Sequence, residues 1–224
     1  LQGLMTPLIE SEKFNEITKN IDNKKFPCAI YGLSESGRTY LIDSIFEKYN
    51  KPLVIVTNSD IEAKNLYEDL NLYSTEVYYF PVREVVFYNI DAISGDLRWA
   101  RLKVIKEILN KKKKIIVTSV EAFASKYTPR RYYEKHKIKL NVNDIVNFSD
   151  ITKLLVEGGY ERVEMVEGKG EFALRGGILD VYPADSAYPY RIELFDDEID
   201  SIRTFSVESQ RSIEKIKSIE IFPA

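Results

Sequence analysis

EFALRGGILDVYPADSAYPYRIELFDDEIDSIRTF, residues 171–205, reads as successive antiparallel strands separated by turns rich in Gly, Pro and Asp. Side chains alternate sides along a strand, so Ile192 and Leu194 share one face while Arg191, Glu193 and Phe195 share the other. The same rule puts Phe172 and Leu174 inside and Arg175 outside. One face is core. The other carries arginines, an acid and an aromatic ring, which suits a partner surface with Arg and aromatic anchors. It also suits a solvated face of cross-strand ion pairs, with Phe195 capping the core beside the Asp196-Asp197 turn. Asp196, Asp197 and Glu198 resemble paired carboxylates for acid-base or metal chemistry, but between two strands they read as a solvated corner.

Working outward, the pattern changes after Thr128-Pro129. Before it, strands alternate with helices. Helical spacing over residues 7–22 is followed by an apolar strand at Pro27–Tyr31, the loop Gly32–Thr39 and a helix at Tyr40–Tyr49. A strand at Lys51–Thr57 and a helix at Asp60–Leu70, capped by Asn58 or Ser59, come next. A short strand at Tyr78–Pro81, a helix at Asp96–Leu109 and a strand at Ile115–Thr118 complete this half. Unbroken apolar strands alternating with helices predict an α/β module with a parallel sheet covered on both faces. After the change, a helix at Ile151–Glu157 leads into strands and turns, which predicts a second, α+β module. The tail resumes strand character at Ile216–Phe222 and stops at Pro223-Ala224, an ending that reads as a boundary inside a longer chain.

Strand, GLSESGRT (residues 32–39) and helix reproduce the context of a phosphate-binding loop: Gly32, four residues, Gly37, then a cation and Thr39. Arg38 stands where a compact lysine would reach the phosphates. Glu35 puts a negative charge inside the loop, and Val117-Thr118-Ser119-Val120 lacks the acidic pair that would hold magnesium. The loop therefore reads as a relic. The chain itself is expected to be no enzyme, with no catalytic set, no cofactor and no metal.

At 224 residues two modules are expected, and a 44% hydrophobic content fits a globular protein able to bury a core. No run of 18 or more apolar residues occurs, and LQGLMTPLIESEKF lacks a basic head followed by an apolar stretch, so neither membrane span nor signal peptide is indicated. Cys28 and His136, each the only residue of its type, exclude an internal disulfide and a structural zinc site. Cys28 reads as a small core residue, His136 as a surface residue, and the cytoplasm as the consistent location. The net charge of -3 gives no global pull toward nucleic acid. Lys111–Lys114 reads as a solvated helix end. KYTPRRYYEKHKIK, residues 126–139, holds six Lys or Arg against Glu134, which suits a phosphate backbone or a basic linker.

GGYERVEMVEGKGEFALRGGILDVYPA (residues 158–184) and YRIELFDDEIDSIRTFSVESQRS (190–212), with the phosphate-type loop before them, resemble the N-terminal UvrB-homology region of bacterial transcription-repair coupling factors. UvrB shares the YER and FxxRGxxLxxxPA elements but keeps the phosphate-loop lysine; Arg38, DDEIDSIRxF and the SQR ending favour the coupling factors. The resemblance implies that residues 1–125 correspond to a helicase-like domain 1a with a degenerate phosphate loop, 126–208 to an inserted domain 2, and 209–224 to the start of domain 1b. It implies recruitment of UvrA to stalled RNA polymerase through domain 2, by positions falling on Arg162, Arg175, Arg191, Glu193 and Phe195. Ala173 stands where UvrB has a further arginine. A full-length family member would be an ATP-dependent DNA translocase, with the sites for ATP, magnesium, RNA polymerase and double-stranded DNA in domains downstream. The fragment is expected to be monomeric, with Glu193 orienting Arg191, and Arg191→Ala or Phe195→Ala is expected to cost about 2 kcal/mol of UvrA binding while sparing the fold. The competing expectations are a nucleotide-dependent UvrB-like helicase fragment and direct DNA binding through residues 126–139.

Overall fold

The computed structural model describes residues 10–83, 96–110 and 113–224, so the start of the helix expected from residue 7, and Lys111 and Lys112 of the lysine run, lie outside the described residues. The chain divides into two compact units, residues 1–97 with 110–125, and residues 98–109 with 126–224.

The first unit is built on a parallel sheet in which β3 (Ile115–Ser119) lies between β1 (Leu53–Thr57) and β2 (Val77–Phe80). Burial of all five β3 residues explains its central place, since only an apolar run satisfies a strand covered on both faces. Helix α1 (Glu12–Asp22) begins at the Ser11 cap, and α2 (Glu35–Tyr49) at the Ser34 cap. Helix α3 (Asp60–Asn71), capped by Ser59, presents Ala63, Leu66 and Leu70 at helical spacing to Phe46, Val77, Ile115 and Val117. The Tyr49 hydroxyl donates to the Thr18 carbonyl at 2.9 Å, joining α1 to α2.

Three expectations fail in this unit. Pro27–Tyr31 forms no strand: Phe26, Ile30 and Tyr31 are exposed, and Cys28 is exposed rather than in the core. An apolar run makes a strand only where a ladder takes its amides, and no described strand pairs with it. Cover on both faces also fails at β1, where Val54 and Val56 stay exposed.

The second unit carries α4 (Asp96–Leu109) from residue 98 onward, α6 (Arg130–His136), α7 (Phe148–Glu157) and two antiparallel layers; the short α5 (Val120–Ala124) belongs to the first unit. One layer pairs β4 (Ile138–Asn141) with β11 (Ser218–Ile221). The other is six-stranded, in the order β10 (Ser212–Ile216), β9 (Glu198–Phe205), β8 (Tyr190–Phe195), β7 (Ile178–Val181), β6 (Glu171–Arg175), β5 (Glu161–Arg162). Only the β5 and β6 pair is parallel. Alternate residues Phe172, Leu179, Val181, Ile192, Ile199 and Ile202 meet Phe148, Ile151 and Leu155 of α7 and the apolar face of β4 and β11 in one core. Helix α4, expected as part of the α/β module, packs here because Trp99 lies on Gly170: a Cβ at that glycine, which has φ of 84°, would come within 2.8 Å of the indole. Lys106 of α4 also pairs with Asp185.

Residues 209–224, expected to open a further domain, are integral to this unit, since β10 pairs with β9 and β11 with β4. His136, expected on the surface, is only 7% exposed. Its Nδ1 lies 2.8 Å from the Tyr132 carbonyl oxygen, its Nε2 lies 3.6 Å from a Glu157 carboxylate oxygen, and its ring packs against Tyr132. Packing of α6 against α7 covers it. No helix among the described residues is long and apolar enough to cross a membrane.

Candidate functional site

The face of the six-stranded sheet that turns away from α7 is organised in rows, because residues paired across a ladder share a side. One row runs Ala173, Asp180, Arg191, Arg203; the next, one pleat closer to the turns, runs Arg175, Ile178, Glu193, Ser201. Both hairpin turns of β6–β7 and β8–β9 lie at the same end, as the Leu194 N–H donates to the Gly177 carbonyl at 2.8 Å. Gly176 and Asp196 take left-handed φ of 60° in those turns, a conformation that Gly and Asp tolerate best.

The first row is held by Asp180, 1% exposed, whose carboxylate is the centre of a two-arginine clamp. Arg191 donates from Nε at 2.7 Å and from Nη2 at 2.8 Å, and Arg175 donates from Nη2 at 2.7 Å. Arg191 also donates to the carbonyl and side-chain oxygens of Gln210, at 3.3 and 3.1 Å, and its guanidinium lies 4.3 Å from the buried Phe205 ring. The hydrogen bonds to Asp180 hold the Arg191 guanidinium above its ordinary pKa. As a result the Arg191 side chain is only 15% exposed, whereas Arg175, reaching the same carboxylate from the end of β6, is 50% exposed. Arg191 is therefore part of the scaffold, and Arg175 is the cation that this scaffold presents.

Glu193 does not orient Arg191 as expected. Its carboxylate takes the Ser201 hydroxyl at 3.1 Å and the Arg203 guanidinium, because Ser201 is its direct partner across the ladder and Arg203 lies one pleat away on the same strand. Phe195 is 80% exposed at the tip of β8, so it does not cap the core. Arg162 stands apart from the other four positions: its register partner is Phe172, a core residue, and it lies beside the start of β6, about 10 Å along the strand from Arg175. Its neighbour Val163 packs with Val166, Ala173 and Phe205 on the outward side. Asp180, Phe205 and Gln210 were not singled out from sequence. Alternation does place Asp180 outward opposite Arg191, which was the available signal.

At residues 32–39 several polar groups are bonded within the segment or to α3, although residues 32–36 stay exposed. Helix α2 begins at Glu35, not after the loop, so Gly37, Arg38 and Thr39 already lie in its first turns. The Gly37 N–H donates to Ser34 Oγ at 3.1 Å, and the Arg38 N–H donates to the Ser34 carbonyl at 2.9 Å. The buried Thr39 hydroxyl donates to the Glu35 carbonyl, and Arg38 pairs with Glu62 of α3 at 2.8 Å. Gly32 takes φ of 79° in an open turn before the cap. The basic stretch 126–139 folds into α6 and β4, with Arg130 paired to Glu134 at 2.6 Å and Lys137 to Glu220 at 3.3 Å. Among the described residues no group of three or more His, Cys, Asp or Glu is arranged to hold a metal ion.

Residues 138–224 match the family model of the UvrB interaction domain. The chain is 35% identical to the transcription-repair-coupling factor of Bacillus subtilis and 34% identical to that of Staphylococcus haemolyticus, all of this chain aligning with 19% of each relative. With the corresponding protein of Staphylococcus aureus it shares 33% identity over 87% of this chain and 17% of the relative. The chain thus spans about a fifth of the length of the curated relatives it matches. Along its whole length it resembles the transcription-repair-coupling factors, and from residue 138 to residue 224 it is similar to the UvrB interaction domain.

Proposed function

We propose that this chain is a recruitment module that docks UvrA on the outward face of its six-stranded sheet, with Arg175 and Phe195 as the contacting anchors and Asp180 and Arg191 holding them in place. The observation that carries this reading is Phe195, a large aromatic left 80% exposed at the tip of a strand whose other outward charges are already paired. The match of residues 138–224 to the UvrB interaction domain supports the choice of partner. Glu193 and Arg162 take supporting parts: Glu193 stiffens the middle of the face through Arg203, and Arg162 offers a separate cation at the edge of the sheet.

In this reading the module performs no chemistry. The Gly37 and Arg38 amides bonded to Ser34 and the pairing of Arg38 with Glu62 support an idle nucleotide cleft. Translocation on double-stranded DNA with ATP and magnesium, and the engagement of RNA polymerase, belong to other parts of the longer protein, which acts in the cytoplasm to couple repair to transcription. The test is titration of UvrA with the chain. Phe195→Ala is expected to weaken binding by about 2 kcal/mol, roughly thirtyfold, with an unchanged unfolding midpoint. Equal affinity of variant and parent would reject the reading.

A further inference from the structure

The outward face has a third row that the sequence does not reveal. Phe195 pairs with Glu198 across the β8–β9 turn, and on its other side Glu198 forms an isolated antiparallel bridge with Ile145, from the loop between β4 and α7. Residues paired in this way point to the same side, so Phe195, Glu198 and Ile145 stand in line at the turn end of the face. Ile145 is 75% exposed, nearly as much as Phe195, and two strand spacings separate them by about 10 Å, with the exposed Glu198 between. The bridge is backed by the Val146 N–H donating to the Asp197 carbonyl at 2.8 Å and by the Asn143 N–H donating to the Ile199 carbonyl at 2.8 Å, which fix the loop against β9.

The charge state of this row differs from that of the others. Asp180, Arg191, Glu193 and Arg203 are all paired within the sheet. Among the described residues no cation pairs with Glu198, and the turn adds Asp196 and Asp197 beside it. An uncompensated acid flanked by two projecting apolar side chains is complementary to a surface with two apolar depressions and a basic side chain between them.

We infer that Ile145 and Glu198 are binding residues of the same docking surface, Ile145 as a second apolar anchor and Glu198 as the acid that pairs with a cation of UvrA between the two anchors. This rests on the UvrA reading above and adds to it a contact from a separate loop and a chemistry for the partner: apolar sockets on either side of Lys or Arg. Anchoring from two chain segments 50 residues apart fixes the rotation of the partner about the Phe195 ring, which one anchor alone would leave open.

The experiment is a titration of purified UvrA against the parent chain, Ile145→Ala, Glu198→Lys, Arg175→Ala and Phe195→Ala, with unfolding midpoints recorded for each. Ile145→Ala is expected to weaken binding about fivefold and Glu198→Lys more than tenfold, because reversal sets two cations together, with midpoints unchanged. Ile145→Thr, which keeps the branched Cβ suited to an extended bridge, replaces Ile145→Ala if that midpoint shifts. If Phe195→Ala and Arg175→Ala lose affinity while the Ile145 and Glu198 variants bind as the parent does, the third row is overturned and the UvrA reading stands. If no variant loses affinity, both fall.

Discussion

Two arginine sites in this chain have opposite outcomes. Arg38, in a segment that reads as a phosphate loop, spends its guanidinium on Glu62 across two helices, with nearby amides and hydroxyls bonded inside α2. On the six-stranded sheet the arginines also meet an acid, but Asp180 is buried beneath them, and its pull leaves one arginine, Arg175, half outside. The difference lies in where the partner charge sits. A surface acid beside an arginine closes a site, while a buried acid below a pair of arginines erects one.

The sheet's clamp can be broken most directly at Asp180. Asp180→Ala leaves two guanidinium groups packed together without their carboxylate, and removal of one partner from a buried ionic cluster costs about 3 kcal/mol. Denaturant unfolding of the second unit is the measurement. Arg191→Ala, expected from the sequence alone to spare the fold, should also destabilise, by about 2 kcal/mol, since it strands a buried Asp180 oxygen and uncovers Phe205. If both variants unfold like the parent, the clamp is no scaffold and Arg191 returns to the list of direct contacts.

The contrast between the sites also explains what the sequence could and could not tell. Alternation along Tyr190–Phe195 was enough to sort Ile192 inward and Phe195 outward, because a two-residue period is a property of the strand itself. It could not tell that Arg191 is covered and Arg175 open, since that depends on both arginines meeting Asp180 of the strand between them and on Gln210 folding over the Arg191 guanidinium. Ile145 was illegible for the same reason: a bridge to Glu198 joins segments with no shared pattern. At Pro27–Tyr31 local apolarity suggested a strand, but the missing ladder partner is a tertiary fact. The helix at Asp96–Leu109 was readable as a helix, while its attachment to the second unit depends on Trp99 meeting Gly170.

The loop side of the comparison is sharpened by restoring what it lacks. Arg38→Lys supplies the missing lysine, yet a fluorescent ATP titration is expected to stay silent, because the Gly37 and Arg38 amides are already bonded to Ser34 and Glu62 awaits the new cation. Micromolar binding lost on Thr39→Ala would show the cleft to be functional. Arg38→Ala should cost no more than about 1 kcal/mol of stability, as the ion pair is partly exposed on both sides.

The smallest expected effect concerns a second acid on α2. Asp43 is buried, and that burial, with the nearby Glu47, raises its pKa above the ordinary 3.8, while Lys113 acts in the other direction. A carboxyl whose folded pKa is raised favours the fold most below its unfolded pKa, and that contribution is lost as pH rises through the folded value. At pH 7 the charge therefore costs stability. Asp43→Asn should raise the unfolding midpoint of the first unit at neutral pH, with the gain shrinking as the pH falls toward 3.8. A gain independent of pH would assign it to packing, and a loss at neutral pH would mean that the Lys113 attraction outweighs burial. In the first case α2 resembles the second unit's sheet only in burying an acid; in the second, Asp43 and Asp180 share one principle, a buried carboxylate that a neighbouring cation turns into a support.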